Sequence, residues 1–436
     1  MKKEKAQPPK ATKTVYPILT QIVKLIPPSI FHDCQKGVRD LSRTFTPWSH
    51  VVALLYQQLD KTESLNGVCD VAATMASQWQ ELRDAQVPRR NTFSNANRRR
   101  DPAMIERLYW SMMGHLGSLE PDFAVPPHAG FLKRFGCRHI HLLDSSTIQL
   151  VVNSIDWARH RRKKAAAKLH MNLDLASRLP SFAVVGGAGR HDSREAARAT
   201  RNLGDGDILV ADRAYTDFKF LGALALRGVF FVVREKRNMR METVGGTGGP
   251  DGRAPEKGKR VLILGDERVR PALSRTAGEY TADGGILRRV TAMVEVDGRM
   301  TRMVFLTNNF KWSAKTIAEL YRARWAVELF FKELKQNCQI RDFLGYNENA
   351  VRWQIWAALL AHLLLRYLRH VSGWKLSFSR LSGVVRGAIW ARRNIAELLG
   401  SFGTAHSGNS AGPPRKPLYF QGFLPFCLPS IGTASP

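Results

Sequence analysis

The sequence predicts an α/β protein: a mixed-sheet core carrying helices, with an all-helical region ahead of it and more helices behind. Three observations predict this class. Residues 16–115 keep a helical spacing of apolar side chains, broken only at Pro27-Pro28, Pro47, Asn66-Gly67 and Pro88. Residues 139–233 alternate short apolar runs with helical ones, in the order strand-strand-strand-helix-strand-helix-strand. Residues 234–302 then break that rhythm with Gly- and charge-rich sequence and short alternating runs, which predicts a β-rich insertion.

Taken in order, residues 1–13 read as a basic, disordered leader and 14–125 as a helical domain, with helices over 16–26, 47–59, 64–85 and 92–115. Thr92 and Ser94 are candidate caps of the last helix, and Arg98, Arg99 and Arg100 lie along it. Two helices joined by a short turn, the second carrying Asn and Arg, suit a major groove. Residues 126–233 form the first part of the core. Its strands are 139–143, ending at Asp144, then 168–175, 180–186, 207–211, ending at Asp212, and 229–233. Asp192 and Glu195, at the start of a helix over 191–201, have the spacing of a capping pair, and that structural role is preferred to metal binding. After the insertion, 303–370 complete the core with strand 303–307, a long helix beginning at Ser313 and an apolar helix over 350–369. A helical segment (371–402) and a Gly/Ser/Pro-rich tail (403–436) follow.

Composition narrows the partner. The chain has 436 residues and a formal net charge of +29, with 66 Lys and Arg against 37 Asp and Glu. Such an imbalance points to a polyanion, most simply nucleic acid. The best apolar run, 355–365, has 11 residues, contains His362 and stops at Arg366, too short to cross a bilayer. No signal peptide is read, so the predicted location is the cytoplasm. The 5 cysteines are scattered, without a CxxC pair. Cys137, His139 and His141 alternate along one strand, an awkward tetrahedral set, and read as half-buried strand residues rather than a zinc site. The basic stretch 157–170, with Arg161, Arg162, Lys163, Lys164 and Lys168, is a candidate DNA contact beside Asp144.

The chemistry concentrates in 321–335, YRARWAVELFFKELK. At about 100° per residue, Tyr321, Arg324, Glu328 and Lys335 fall within an arc of roughly 60° on one helix. Ala323, Val327, Phe330, Phe331 and Leu334 take the opposite side. A carboxylate flanked by two cations and a phenol suits a metal ion and a phosphate together. Adjacent strands ending in Asp144 and Asp212 would put two more carboxylates at one sheet edge. Three such groups form an oxygen-rich site for two Mg²⁺ ions, which stabilise both oxygens of a phosphodiester displacement. Arg213 and Tyr215 place another cation and phenol beside Asp212. Asp205 and Asp207 precede their strand and lie at its other end, and Glu333 lies off the Glu328 stripe.

DSST from Asp144, DRAY from Asp212 and Y-x2-R-x3-E-x6-K from Tyr321 resemble the three signature blocks of bacterial insertion-sequence DDE transposases, in the IS-four-like group with the Tyr-Arg-Glu-Lys signature. The order matches, with 68 residues from Asp144 to Asp212 and 116 from there to Glu328. The resemblance implies a ribonuclease H-like core and metal-dependent cut-and-paste transposition, with Asp144, Asp212 and Glu328 as ligands of two Mg²⁺ (Mn²⁺ able to substitute). It makes Tyr321, Arg324 and Lys335 phosphate-positioning residues. It also implies a homodimer on paired terminal inverted repeats, acting on target DNA in a nucleoid-associated setting. Some relatives hold a flipped base with a Trp of the insertion; 234–302 contain none, leaving Phe305, Trp312 or Met303 as substitutes. The alternatives are a structure-specific metal endonuclease and an inactive DNA-binding relative.

Overall fold

A computed structural model describes residues 11–401, apart from 39–41, 43, 124–131, 133, 137–138, 150–158, 161–163, 188–191, 238, 249–260, 273–279 and 297. The tail from 403, Cys137, and Arg161, Arg162 and Lys163 of the basic stretch therefore lie outside the described residues, as do the side chains of Lys164 and Asp192.

The helical region holds α1 (Ile18–Val23), α2 (Pro28–Gln35), α3 (Pro47–Asp60), α4 (Leu65–Thr74), α5 (Ala76–Gln80), α6 (Arg90–Arg99) and α7 (Ala103–Leu119). Local chemistry sets several boundaries. Thr46 caps α3 by accepting from the Ser49 amide, with Pro47 at the first turn, and Ser64 caps α4 by accepting from the Gly67 amide. The helix expected over 64–85 divides at Met75 and stops before Arg83 and Asp84, whose φ values of 58° and 54° are left-handed. The helix expected over 92–115 is also two: Arg100 is extended ahead of Asp101-Pro102. Thr92 and Ser94 do not cap. The helix begins earlier, and the Thr92 hydroxyl donates back to the Arg89 carbonyl at 2.8 Å.

The core strands are β1 (Ile140–Gln149), β2 (Arg159–His160), β3 (Lys164–Asp174), β4 (Pro180–Gly187), β5 (Ile208–Ala211) and β6 (Phe230–Arg234). The later strands are β7 (Met241–Gly248), β8 (Val261–Pro271), β9 (Leu287–Val296) and β10 (Arg299–Thr307). Among the described residues they form one mixed sheet, β2-β3-β1-β5-β6-β10-β9-β8-β7, with β4 also on β3. β1, β5 and β6 are parallel; β3 and β10 flank them antiparallel. The strands of the insertion thus extend the core sheet edge to edge. A buried Arg288–Asp266 ion pair at 2.6 Å ties β9 to β8.

β5 reads ILVA, an unbroken apolar run, because the sheet is covered on both faces. Ile208 and Val210 join the larger hydrophobic cluster, while Leu209 and Ala211 join a smaller one that also contains Phe218, Leu221 and Leu224. The latter three belong to α9 (Phe218–Leu226), which with α8 (Asp192–Ala199) covers that face. On the larger cluster's face lie α10 (Ala314–Ala323), α11 (Trp325–Asn337), α12 (Glu348–Val371) and α13 (Phe378–Gly387). α12 buries Trp353, Trp356 and most of its aliphatic side chains, and packs on α3, α6 and α7. The helical region and the sheet therefore share one hydrophobic core.

The two ends of the described chain meet. Lys13 bridges Arg393, the Thr12 hydroxyl and amide both donate to Glu397 at 2.8 Å, and Gln21 takes the carbonyl of Arg393 at 2.7 Å. Glu397 belongs to α14 (Ile395–Ser401).

Candidate active site

Alternation along the strands aims the two aspartates. Leu143 and Ala211 are the last paired residues of the parallel β1–β5 ladder, and both face the smaller cluster. The next residue of each strand, Asp144 and Asp212, turns to the other face, where α10 and α11 lie. Asp144 does not end its strand as expected. β1 runs on to Gln149 because β3 continues to pair with it, Asp144 opposite Met171. Only the β5 ladder stops there, after Leu143 opposite Ala211.

The long helix from Ser313 is not continuous. α10 ends at Ala323 and α11 begins at Trp325, with tight bonds from the Arg324 amide to the Tyr321 carbonyl and from the Val327 amide to the Arg324 carbonyl, both 3.0 Å. The joint falls at Arg324, between Tyr321 and Glu328. Val327, Phe330, Phe331 and Leu334 are buried, as their spacing predicts. Tyr321 is buried too, its ring 4.7 Å from that of Phe305, so it is not part of an open stripe.

Arg324 Nη1 donates to Asp144 Oδ2 at 3.0 Å, and Nη2 donates to Glu328 Oε1. The Tyr321 hydroxyl donates to Asp212 Oδ1 at 3.2 Å. The Ser145 amide donates to Asp144 Oδ1 at 2.7 Å, and Lys335 Nζ reaches the Thr147 carbonyl at 3.3 Å. The structure thus gathers Asp144, Asp212, Glu328 and Tyr321 about the Arg324 guanidinium, with Lys335 reaching further along β1. Burial raises the Asp144 carboxyl above its ordinary range; Arg324 and the Ser145 amide oppose this, and the charges of Asp212 and Glu328 add to it. Burial pushes the Tyr321 phenol up to about 12. Burial would lower the Arg324 pKa, but Tyr321 and the three carboxylates around it hold it above its ordinary value. Arg324 Nε is buried with no hydrogen-bond partner, a donor aimed at no acceptor of the chain.

Some expected residues fall elsewhere. Tyr215 is fully buried with its hydroxyl 3.3 Å from His170 Nδ1, so it braces the turn after Asp212 and does not face a phosphate. Arg213 is exposed at the start of that turn. Arg100 is also turned inward, donating to Ser42 Oγ at 2.8 Å and the Thr46 carbonyl at 3.2 Å, while Arg98 and Arg99 stay exposed. Lys168 pairs across from Thr147 on β3. Phe305 and Met303 are core residues, and Trp312 packs between Phe135 and Phe230, so none is presented to a base. His141 lies 3.8 Å from Asp207 and His139 3.7 Å from Asp174, at the far end of β1. Among the described residues no three His, Cys, Asp or Glu are grouped closely enough to hold a metal ion as they stand. His170 and Phe305 support the site without having been singled out as its supports. Their roles follow from strand register, which sequence spacing does not display.

The profile of the transposase DDE domain family matches residues 136–364, more than half of the chain and the whole span carrying these three carboxylates. The chain belongs to this family. As a DDE transposase it is a DNA-cleaving and strand-transfer enzyme, and its domain implies dependence on divalent metal. A second profile, of a domain of unknown function (DUF4372), matches residues 14–85. Among curated relatives, a chain described as transposase y4zB of Sinorhizobium fredii is 29% identical over 315 residues, covering 71% of this chain and 80% of its own length. The transposase described for insertion sequence element IS5377 of Geobacillus stearothermophilus is 31% identical over 229 residues, 52% of this chain and 56% of that one. The transposase InsG for insertion sequence element IS4 of Escherichia coli is 26% identical over 230 residues, 50% of this chain and 49% of that one. This DDE transposase is thus of the bacterial insertion-sequence type. Among the described residues no helix is long and apolar enough to cross a membrane.

Proposed function

We propose that this transposase moves DNA by cut and paste on a ribonuclease H-like core, with Asp144, Asp212 and Glu328 as the carboxylates that hold two Mg²⁺. The observation that carries the reading is the meeting of two of these carboxylates, Asp144 and Glu328, on the Arg324 guanidinium, with Asp212 held by the hydroxyl of Tyr321 one helical turn away. The donor set fits a hard divalent ion: carboxylate oxygens only, already drawn toward positive charge. When bound, the ions supply Lewis-acid stabilisation of the charge that builds in phosphodiester displacement.

The remaining work falls to the chain's own side chains. Arg324 and Lys335 grip phosphate oxygens beside the scissile bond. Tyr321 keeps Asp212 turned into the cleft through its hydroxyl. Arg213, Lys168 and, on charge alone, Arg161, Arg162, Lys163 and Lys164 are the further contacts assigned to the DNA backbone. The substrates are duplexes with terminal inverted repeats and a target duplex, and the working form is a homodimer on paired ends in the bacterial cytoplasm.

The deciding experiment incubates purified protein with duplexes carrying the ends of its element and Mg²⁺ or Mn²⁺. Asp144→Ala, Asp212→Ala and Glu328→Ala should each abolish strand cleavage and joining while end binding persists. Cleavage surviving in any one of them removes that residue from the site. Cleavage without joining in the wild type indicates an endonuclease instead.

A further inference from the structure

We propose that α6 reads base edges in the major groove of the transposon end, through Asn91, Ser94, Asn95 and Arg98. This rests on the reading of the chain as an end-cutting transposase and names the part of it that recognises the end. Residues 90–99 lie between the two matched regions, 14–85 and 136–364.

α6 buries Phe93, Ala96 and Asn97, at offsets 0, 3 and 4. Asn91, Ser94, Asn95 and Arg98, at offsets 0, 3, 4 and 7, form the opposite stripe, and all four are exposed. That stripe holds amides, a hydroxyl and a guanidinium, with no apolar anchor of the kind protein interfaces use. An Asn amide matches the donor and acceptor pair of adenine, an Arg fork matches the two acceptors of guanine, and Ser serves either. Arg89, Arg90 and Arg99 are exposed beside it, and residues 89–100 contain no acid. Duplex DNA is therefore the occupant that charge and chemistry both select.

The helix is held for this task. Asn97 Oδ1 is 2.8 Å from His50 Nε2, and Phe93 packs against Phe45 and His50. The side-chain amides of Asn347 and Asn349 both donate to the Arg98 carbonyl at 3.1 Å, and Trp353 Nε1 donates to the Arg100 carbonyl at 3.0 Å. The Arg100 guanidinium turns back to Ser42 and Thr46, which removes it from the outer face. On that face Arg98 Nη2 donates to Asn95 Oδ1 at 3.3 Å, an exposed contact that a base edge would replace. At 1.5 Å per residue the stripe is roughly 10 Å long, which matches about three stacked base pairs.

The test measures binding of the full-length protein to a duplex taken from the DNA flanking its coding sequence and to a scrambled duplex, without divalent metal, over a range of salt. The wild type should prefer its own flank. Asn95→Ala and Arg98→Ala should each cut that preference by about ten-fold or more with unchanged thermal midpoints. Arg89→Ala and Arg90→Ala should weaken both duplexes alike and flatten the salt dependence. If Asn95→Ala and Arg98→Ala keep the wild-type preference, or weaken both duplexes equally, α6 does not read sequence, although metal-dependent cleavage by the wild type would still uphold the parent reading. A wild type that neither prefers its flank nor nicks it with Mg²⁺ overturns both.

Discussion

Arg324 donates to Asp144 across 3.0 Å, joining residues 180 positions apart in the chain. The same guanidinium also reaches Glu328, one turn further along the helix. One internal cation therefore compensates two carboxylates at the centre of the site.

Replacing Arg324 by Met should leave these acids facing one another uncompensated. The metal-free protein should lose about 1–3 kcal/mol. Added Mg²⁺ should raise its thermal midpoint by more than it raises that of the wild type. Thermal unfolding of both proteins in EDTA and in Mg²⁺ checks this. Equal midpoints in EDTA would mean the guanidinium gives the fold nothing.

Tyr321 has two separable parts. Tyr321→Phe keeps the ring on Phe305 and removes the hydroxyl from Asp212. Stability should change by no more than about 1.5 kcal/mol, while cleavage falls about ten-fold or more. Tyr321→Ala should cost about 3–5 kcal/mol through the cavity it leaves. Urea midpoints and cleavage rates measured on both variants distinguish the hydroxyl from the ring.

His50 is completely enclosed, and burial, with Arg100 nearby, lowers its pKa to about 3. A histidine held neutral in the fold binds its proton only in the unfolded chain between pH 6.5 and that lowered value. Stability is therefore full above about pH 6.5 and falls as pH drops below it, by up to about 1.4 kcal/mol per pH unit. His141 and His362 are shifted in the same direction by burial. His50→Gln should thus flatten the fall in thermal midpoint between pH 7.5 and 5.5 without abolishing it. An unchanged slope would show that His50 does not contribute.

Much of the architecture was legible in local sequence. The run 207–211 announced a strand, and the aspartate after it marked where the strand stops. Asp144 was harder, since β1 does not stop with it: the antiparallel β3, from Ser145 opposite His170 to Gln149 opposite Ala166, keeps the strand going, and pairing at that range leaves no local mark. The joint at Arg324 was hidden for another reason. No Gly or Pro stands there, and Arg322, Ala323, Arg324 and Ala326 are good helix formers. Side-chain direction was the least readable property. Tyr215 turns to His170, and Arg100 to Ser42 and Thr46, because tertiary partners took them; residue type alone suggested a phosphate for the first and a DNA groove for the second.

The clasp between Thr12, Gln21 and residues 393–397 has a consequence for biogenesis. Groups that secure the first helix leave the ribosome nearly four hundred codons after it does. The segment around Thr12 and Gln21 must therefore wait, incompletely docked, until residues 393–397 have been made. A premature stop shortly before Arg393 would then release the front of the molecule as well as trim its rear.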